Sequence, residues 1–85
     1  MIMSARQCRA ARALLGWEQW RLAVVSGITR RTIAHLELET VVPTVATLLR
    51  LREVLETEGV QFSSDEDGEG VRLAKRGEER SAAAS

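Results

Sequence analysis

Between Ala5 and Leu15 apolar residues recur at helical spacing. Cys8, Ala11 and Leu15 stand at i, i+3 and i+7 on one face, while Arg6, Arg9 and Arg12 run across another. Ser4 is a good N-cap, the segment is rich in Ala, Leu, Arg and Gln, and Gly16 accepts left-handed backbone, so a first helix is predicted over residues 5–15. A second is predicted from Glu18 to Ser26, with Leu22, Ala23 and Ser26 on one side. Gly27-Ile28-Thr29 then makes a turn, and Thr29 caps a third helix from Arg30 to about Leu38 that carries Ile33 and Leu36 inward. Val41-Val42-Pro43 interrupts the pattern. Thr44 caps a fourth helix through about Glu58, with Val45, Leu48, Leu51 and Leu55 on its inner face and Gly59 as its stop.

Past Gly59 the period drops from 3.6 to 2. Val60-Gln61-Phe62 and Val71-Arg72-Leu73 alternate apolar and polar, and the acidic stretch from Ser63 to Gly70 reads as a loop between them. Two strands are not stable alone, so this hairpin or edge strand must pack on the helices or pair with another subunit. The tail from Lys75 to Ser85 has no periodic apolar face and is expected to be disordered. The fold class that follows is mainly α: four to five short helices with a small C-terminal β-hairpin or strand.

Length and composition narrow the function. Eighty-five residues, 45% apolar and 28% charged, fit one ordinary globular domain without a separate sensor domain. No apolar run approaches the ~18–20 residues needed to span a bilayer, and Met1-Ile2-Met3-Ser4 does not open a secretory signal, so a cytoplasmic protein is expected. Cys8 and His35 are each the sole residue of their type, which leaves no disulfide and no metal site in prospect. With no phosphate loop, nucleophile elbow or inward-facing carboxylate pair, neither a catalytic activity nor a cofactor is expected.

A formal charge of zero hides an asymmetry. Residues 1–36 carry six arginines against Glu18 alone, whereas residues 37–70 carry Arg50 and Arg52 against nine acidic residues. A basic front and an acidic back would orient the molecule on a polyanion. An architectural DNA-binding protein fits less well, because its surface would be richer in Lys than the single Lys75 allows.

The spacing of Gln19, Leu22, Ala23, Gly27, Ile28, Ile33 and Leu36 has a physical reading. Ala23 must be small where the third helix crosses it, Gly27 must accept positive φ, and Ile33 and Leu36 anchor the third helix, leaving Arg30, Arg31, Thr32 and His35 facing outward. Over residues 4–58 the chain resembles the phage repressor/Cro-type (XRE) helix-turn-helix family. The resemblance runs through Leu15-Gly16-Trp17, Gln19, Leu22-Ala23, Gly27 to Ile33, Leu36-Glu37, Pro43 and Thr47-Leu48. It implies a lambda-repressor-like bundle over 4–58, with 59–74 as a β extension and candidate dimer contact, and 75–85 as the tail. It also implies a homodimer on operator DNA. Gln19 would contact a phosphate and brace the first residue of the third helix, Arg30, Arg31 and His35 would face base edges in the major groove, and Thr29 and Thr32 would lie on or near phosphates.

Three positions depart from the family pattern. Glu18 replaces the usual Ser or Thr cap, and Glu39 stands where Gly is common, beside Glu37 on the side that often meets the DNA backbone; both oppose DNA binding. Trp20 and Val24, four apart on the second helix, form either a protein-binding patch or an extension of the core in which Trp20 folds back on the fourth helix or the hairpin. Trp17 is expected in the core. Leu38, Val41 and Val42 either belong to the same apolar surface as Trp20 and Val24 or pack within their own loop. The rival function is therefore a helix-turn-helix module, antiactivator- or antitoxin-like, that holds a protein partner through Trp20 and Val24.

Overall fold

A computed structural model describes residues 2–74 of the chain. Four helices, α1 (Ala5–Leu15), α2 (Gln19–Ser26), α3 (Arg30–Glu37) and α4 (Val45–Thr57), precede a hairpin of β1 (Val60–Asp65) and β2 (Gly68–Leu73). The expected disordered tail, 75–85, lies outside the described residues.

Local chemistry fixes the helix ends. The Ser4 hydroxyl accepts from the Gln7 N–H at 3.1 Å while Gln7 Oε1 accepts from the Ser4 N–H at 3.0 Å, a complete capping box for α1. Thr29 and Thr44 each accept from the backbone N–H three residues on and so start α3 and α4. Glu18 is the N-cap of α2 but makes no side-chain capping bond. Met3, Cys8, Ala11, Leu22, Ile33, Leu51 and Leu55, all fully buried, draw on every helix and on the segment before α1, so one core holds the bundle together.

The inner face of α4 is Leu48, Leu51, Val54 and Leu55; the expected Val45 is 63% exposed. Val45 occupies the first turn, where the helix projects past the core, whereas Val54 stands three residues after Leu51 and reaches it. Trp17 is half-buried against the core rather than within it, with the Arg21 guanidinium 5.2 Å above its ring.

The hairpin is longer than its apolar alternation implied. Pairing runs from Val60↔Leu73 to Asp65↔Gly68, so most of the presumed 63–70 loop is strand. Asp65 Oδ1 accepts from the Asp67 and Gly68 N–H groups at 2.9 and 3.2 Å, closing a two-residue turn, and Gly68 supplies its φ of 147°. Gln7 Nε2 donates to the carbonyls of Ser63 and Gly70, one in each strand, tying the polar half of the hairpin to α1. Val60, Phe62 and Val71 turn inward onto the bundle, and the Arg52 guanidinium lies 5.1 Å over the Phe62 ring.

Candidate nucleic-acid interface

The junction between α2 and α3 decides what the second of these helices can present. Gly27 ends α2 with φ 77° while its N–H donates to the Ala23 carbonyl, a left-handed conformation that glycine adopts without strain. Ser26 is buried; its hydroxyl accepts from the Ile28 N–H, and its carbonyl accepts from Arg50 Nε at 2.9 Å, which ties the turn to α4. Thr29 then caps α3 and also donates to the Thr32 hydroxyl at 2.9 Å. Ile33 and Leu36 point into the core, so the opposite face of α3 is offered to solvent.

On that face Arg30 and Arg31 are exposed, and Thr32 and His35 are half-buried at its edges. Gln19 and Trp20 from α2, Arg30 from α3, and Arg12 and Glu18 beside them line one open groove of about 390 Å³. The structure thus brings Gln19 and Arg30 together, with Arg31 next along the helix. The Thr29 hydroxyl is committed to its cap and to Thr32. Trp20 does not fold back onto α4 or the hairpin: it is 57% exposed, and Val24, one turn on, is 72% exposed. Their helix turns its apolar side inward through Leu22, and among the described residues no element covers the other side.

Glu37 changes the electrostatic picture most. Placed by sequence among surface acids, it is buried, and its carboxylate accepts from Arg12 Nε at 2.7 Å, Arg12 Nη2 at 2.6 Å and Gln19 Nε2 at 3.1 Å. Cys8 Sγ lies 3.4 Å away, and Arg9 donates to the Glu37 carbonyl. Burial pushes the Glu37 carboxyl up, but the bonds from Arg12 and Gln19 outweigh it and hold the group below the usual carboxylate range. Burial, and then the neighbouring Glu37, push the Cys8 thiol up, which makes it an inert core residue. Gln19 therefore braces α3 through Glu37, its last residue, and not through its first as expected, because the Gln19 amide nitrogen is directed at that buried carboxylate.

The basic front is correspondingly smaller than its six arginines imply. Arg12 is neutralised by Glu37, Arg9 binds a carbonyl, and Arg6 pairs with Glu69 at 3.0 Å. Arg21, over the Trp17 ring, and Arg9 have no ion-pair partner among the described residues, and neither Arg30 nor Arg31 has an ion-pair or hydrogen-bond partner there, so two adjacent unpaired charges stand at the start of α3. Glu39 does reach the left-handed conformation that sequence reserved for Gly, with φ 59°. Its N–H donates to the Leu36 carbonyl and the Thr40 N–H to the His35 carbonyl, a full Schellman closure of α3 built on a glutamate.

Among the described residues no helix is long and apolar enough to cross a membrane. No curated protein matches the chain. A family model described as helix-turn-helix does match, over residues 9–62, from within α1 to within β1. The matched residues include α2, the Gly27 turn and the capped, core-anchored α3, and the chain belongs to the Cro/XRE-type helix-turn-helix family of DNA-binding regulators.

Proposed function

We propose that the protein is a homodimeric, sequence-specific reader of double-stranded DNA that acts as a small transcriptional regulator, with α3 as the helix that enters the major groove. The observation that carries this reading is the pair Arg30 and Arg31, exposed and without a salt-bridge partner among the described residues, at the start of a helix whose other face is locked into the core. A planar guanidinium reads guanine O6 and N7 through two parallel hydrogen bonds, so at least one G·C pair per half-site is expected. His35 joins the two arginines at the base edges. Gln19, Thr29 and Thr32 sit where the helix ends approach phosphates, and with Gln19 Nε2 on Glu37 its backbone N–H at the first position of α2 is the group free to face one. The mechanism requires no catalytic group and no cofactor.

The test is Arg31→Ala and Arg30→Ala in DNA titrations. Each should lose roughly 5–150-fold in affinity for the cognate site, the equivalent of ~1–3 kcal/mol, and should relax the base preference at one position. Equal affinity for variant and parent would remove α3 as the reading element.

The exposure of Trp20 and Val24 favours a second reading, in which this surface holds a protein partner. Trp20→Ala separates the two. Loss of partner capture with DNA affinity unchanged supports a protein-binding module, whereas an unchanged interaction profile dismisses it.

A further inference from the structure

A second apolar surface begins where α3 ends. Leu38, Val41 and Val42 do not pack within their own loop; they are 71%, 55% and 88% exposed, and Val45 and Leu49 continue the exposed stripe along α4 at i and i+4. Val41, Val42 and Pro43 also wall an open groove of about 240 Å³ floored by Met3, Leu36 and Leu48. Together these five exposed side chains present on the order of 500–600 Å² of apolar surface, the upper end of what a monomer leaves to water.

We infer that this face, formed by the α3–α4 loop and the first turns of α4, is the surface through which two copies of the chain associate. The inference rests on the proposed dimeric reading and supplies its interface. Three observations select a second copy. Of the other candidates, the hairpin already spends its apolar face within its own chain, since Val60 is buried and Phe62 and Val71 pack on the core, and Trp20 lines the groove it shares with Arg30 on the proposed DNA side. Two such patches set face to face would bury at most about 1,000–1,200 Å² before any rim is counted, the lower edge of a specific interface. The loop is also held in shape beforehand by the Schellman bonds at Glu39 and Thr40 and by the Thr40 hydroxyl on the His35 carbonyl, so little ordering is needed on association.

The placement suits a two-fold complex on DNA. Recognition helices of a dimer lie ~34 Å apart, so each must sit ~17 Å from the axis. The end of an eight-residue helix is ~6 Å from its midpoint, so the axis lies ~11 Å beyond the end of α3, in the region where the α3–α4 loop stands. An isologous contact there joins the C-terminal ends of the two α3 helices and leaves both pairs of Arg30 and Arg31 outward.

The test is the solution mass of the full chain by sedimentation equilibrium, for the parent and for Val42→Asp and Val45→Asp, with circular dichroism to check each fold. Both sites are exposed, so the monomer fold should survive the change. The expected result is a dimeric parent and a dimer dissociation constant raised at least 30-fold in both variants, with unchanged spectra. Folded variants that stay as dimeric as the parent would overturn this interface while leaving a dimeric DNA-binding protein intact. A parent that is monomeric at every concentration would overturn the dimer itself, and DNA titration of that monomer would then report separately on the α3 reading.

Discussion

Glu37 is the side chain on which the orientation of α3 most depends, and its removal gives a sharp test. The side chains of Glu37 and Arg12 retain 3% and 17% of their exposure, and two of the three side-chain N–H bonds to the carboxylate come from that one guanidinium. Deleting one partner of a buried pair leaves the other charge uncompensated, at a cost of ~3–5 kcal/mol. Arg12 also donates to the Trp17 carbonyl and keeps some contact with water, which places Glu37→Ala near ~3 kcal/mol, the lower end of that range. Total stability for a domain of this size is ~4–13 kcal/mol, so at least about a quarter of it goes. Each 1 kcal/mol moves Tm by ~4–8 °C here, so the expected fall is roughly 12–24 °C. Urea and thermal unfolding at one fixed protein concentration measure it. The double variant Arg12→Met/Glu37→Leu should recover most of the loss, because apolar groups of similar length fill the site without a stranded charge. A single variant within about 0.5 kcal/mol of the parent, or a double variant no better than the single, would refute the assignment of Glu37 as a buried ionic hub.

Other residues give further expectations. The Glu37 carboxyl is held below its ordinary value in the folded state, so its contribution to stability is present above the unfolded pKa of ~4.3 and disappears as pH falls through the lower folded value. Urea midpoints should hold from neutral pH to about 5 and drop below ~4, with a shallower drop in Glu37→Gln; identical acid profiles for parent and variant would contradict this. Glu39→Gly should stabilise by ~1 kcal/mol, because a residue with φ 59° at the Schellman position is replaced by one that adopts it freely, and a lower Tm would count against a strained α3 closure.

The helices were legible because their signals are local. Ser4 with Gln7, Gly16, Gly27, Thr29 and Thr44 act on backbone within four residues, and the family pattern from Gln19 to Leu36 is a string of such requirements. What escaped was settled across long stretches of chain. Glu37 looked like one more acid in an acidic half, and its partner Arg12 lies 25 residues upstream. One available signal was an isolated acid directly after the core residue Leu36, facing helix 1 with its arginines three apart. The length of the hairpin is not legible from apolar alternation, which Ser63–Gly70 lacks, yet Asp65 at the first and Gly68 at the fourth position of the turn carry a signature that periodicity ignores. Val45 and Trp20 are apolar residues at helical spacing whose sides face no other element, which periodicity alone does not reveal.

Reading of a specific DNA site by α3 is tested most directly by fluorescence-anisotropy titration of the purified protein against the DNA upstream of its own coding sequence and against a scrambled duplex, at two salt concentrations. The account predicts tight binding to the native fragment, at least 10³-fold above the scrambled one, weakening with salt at the slope set by several phosphate contacts per dimer. Equal and weak binding to both duplexes at low salt would contradict it and turn attention to a protein that docks on Trp20.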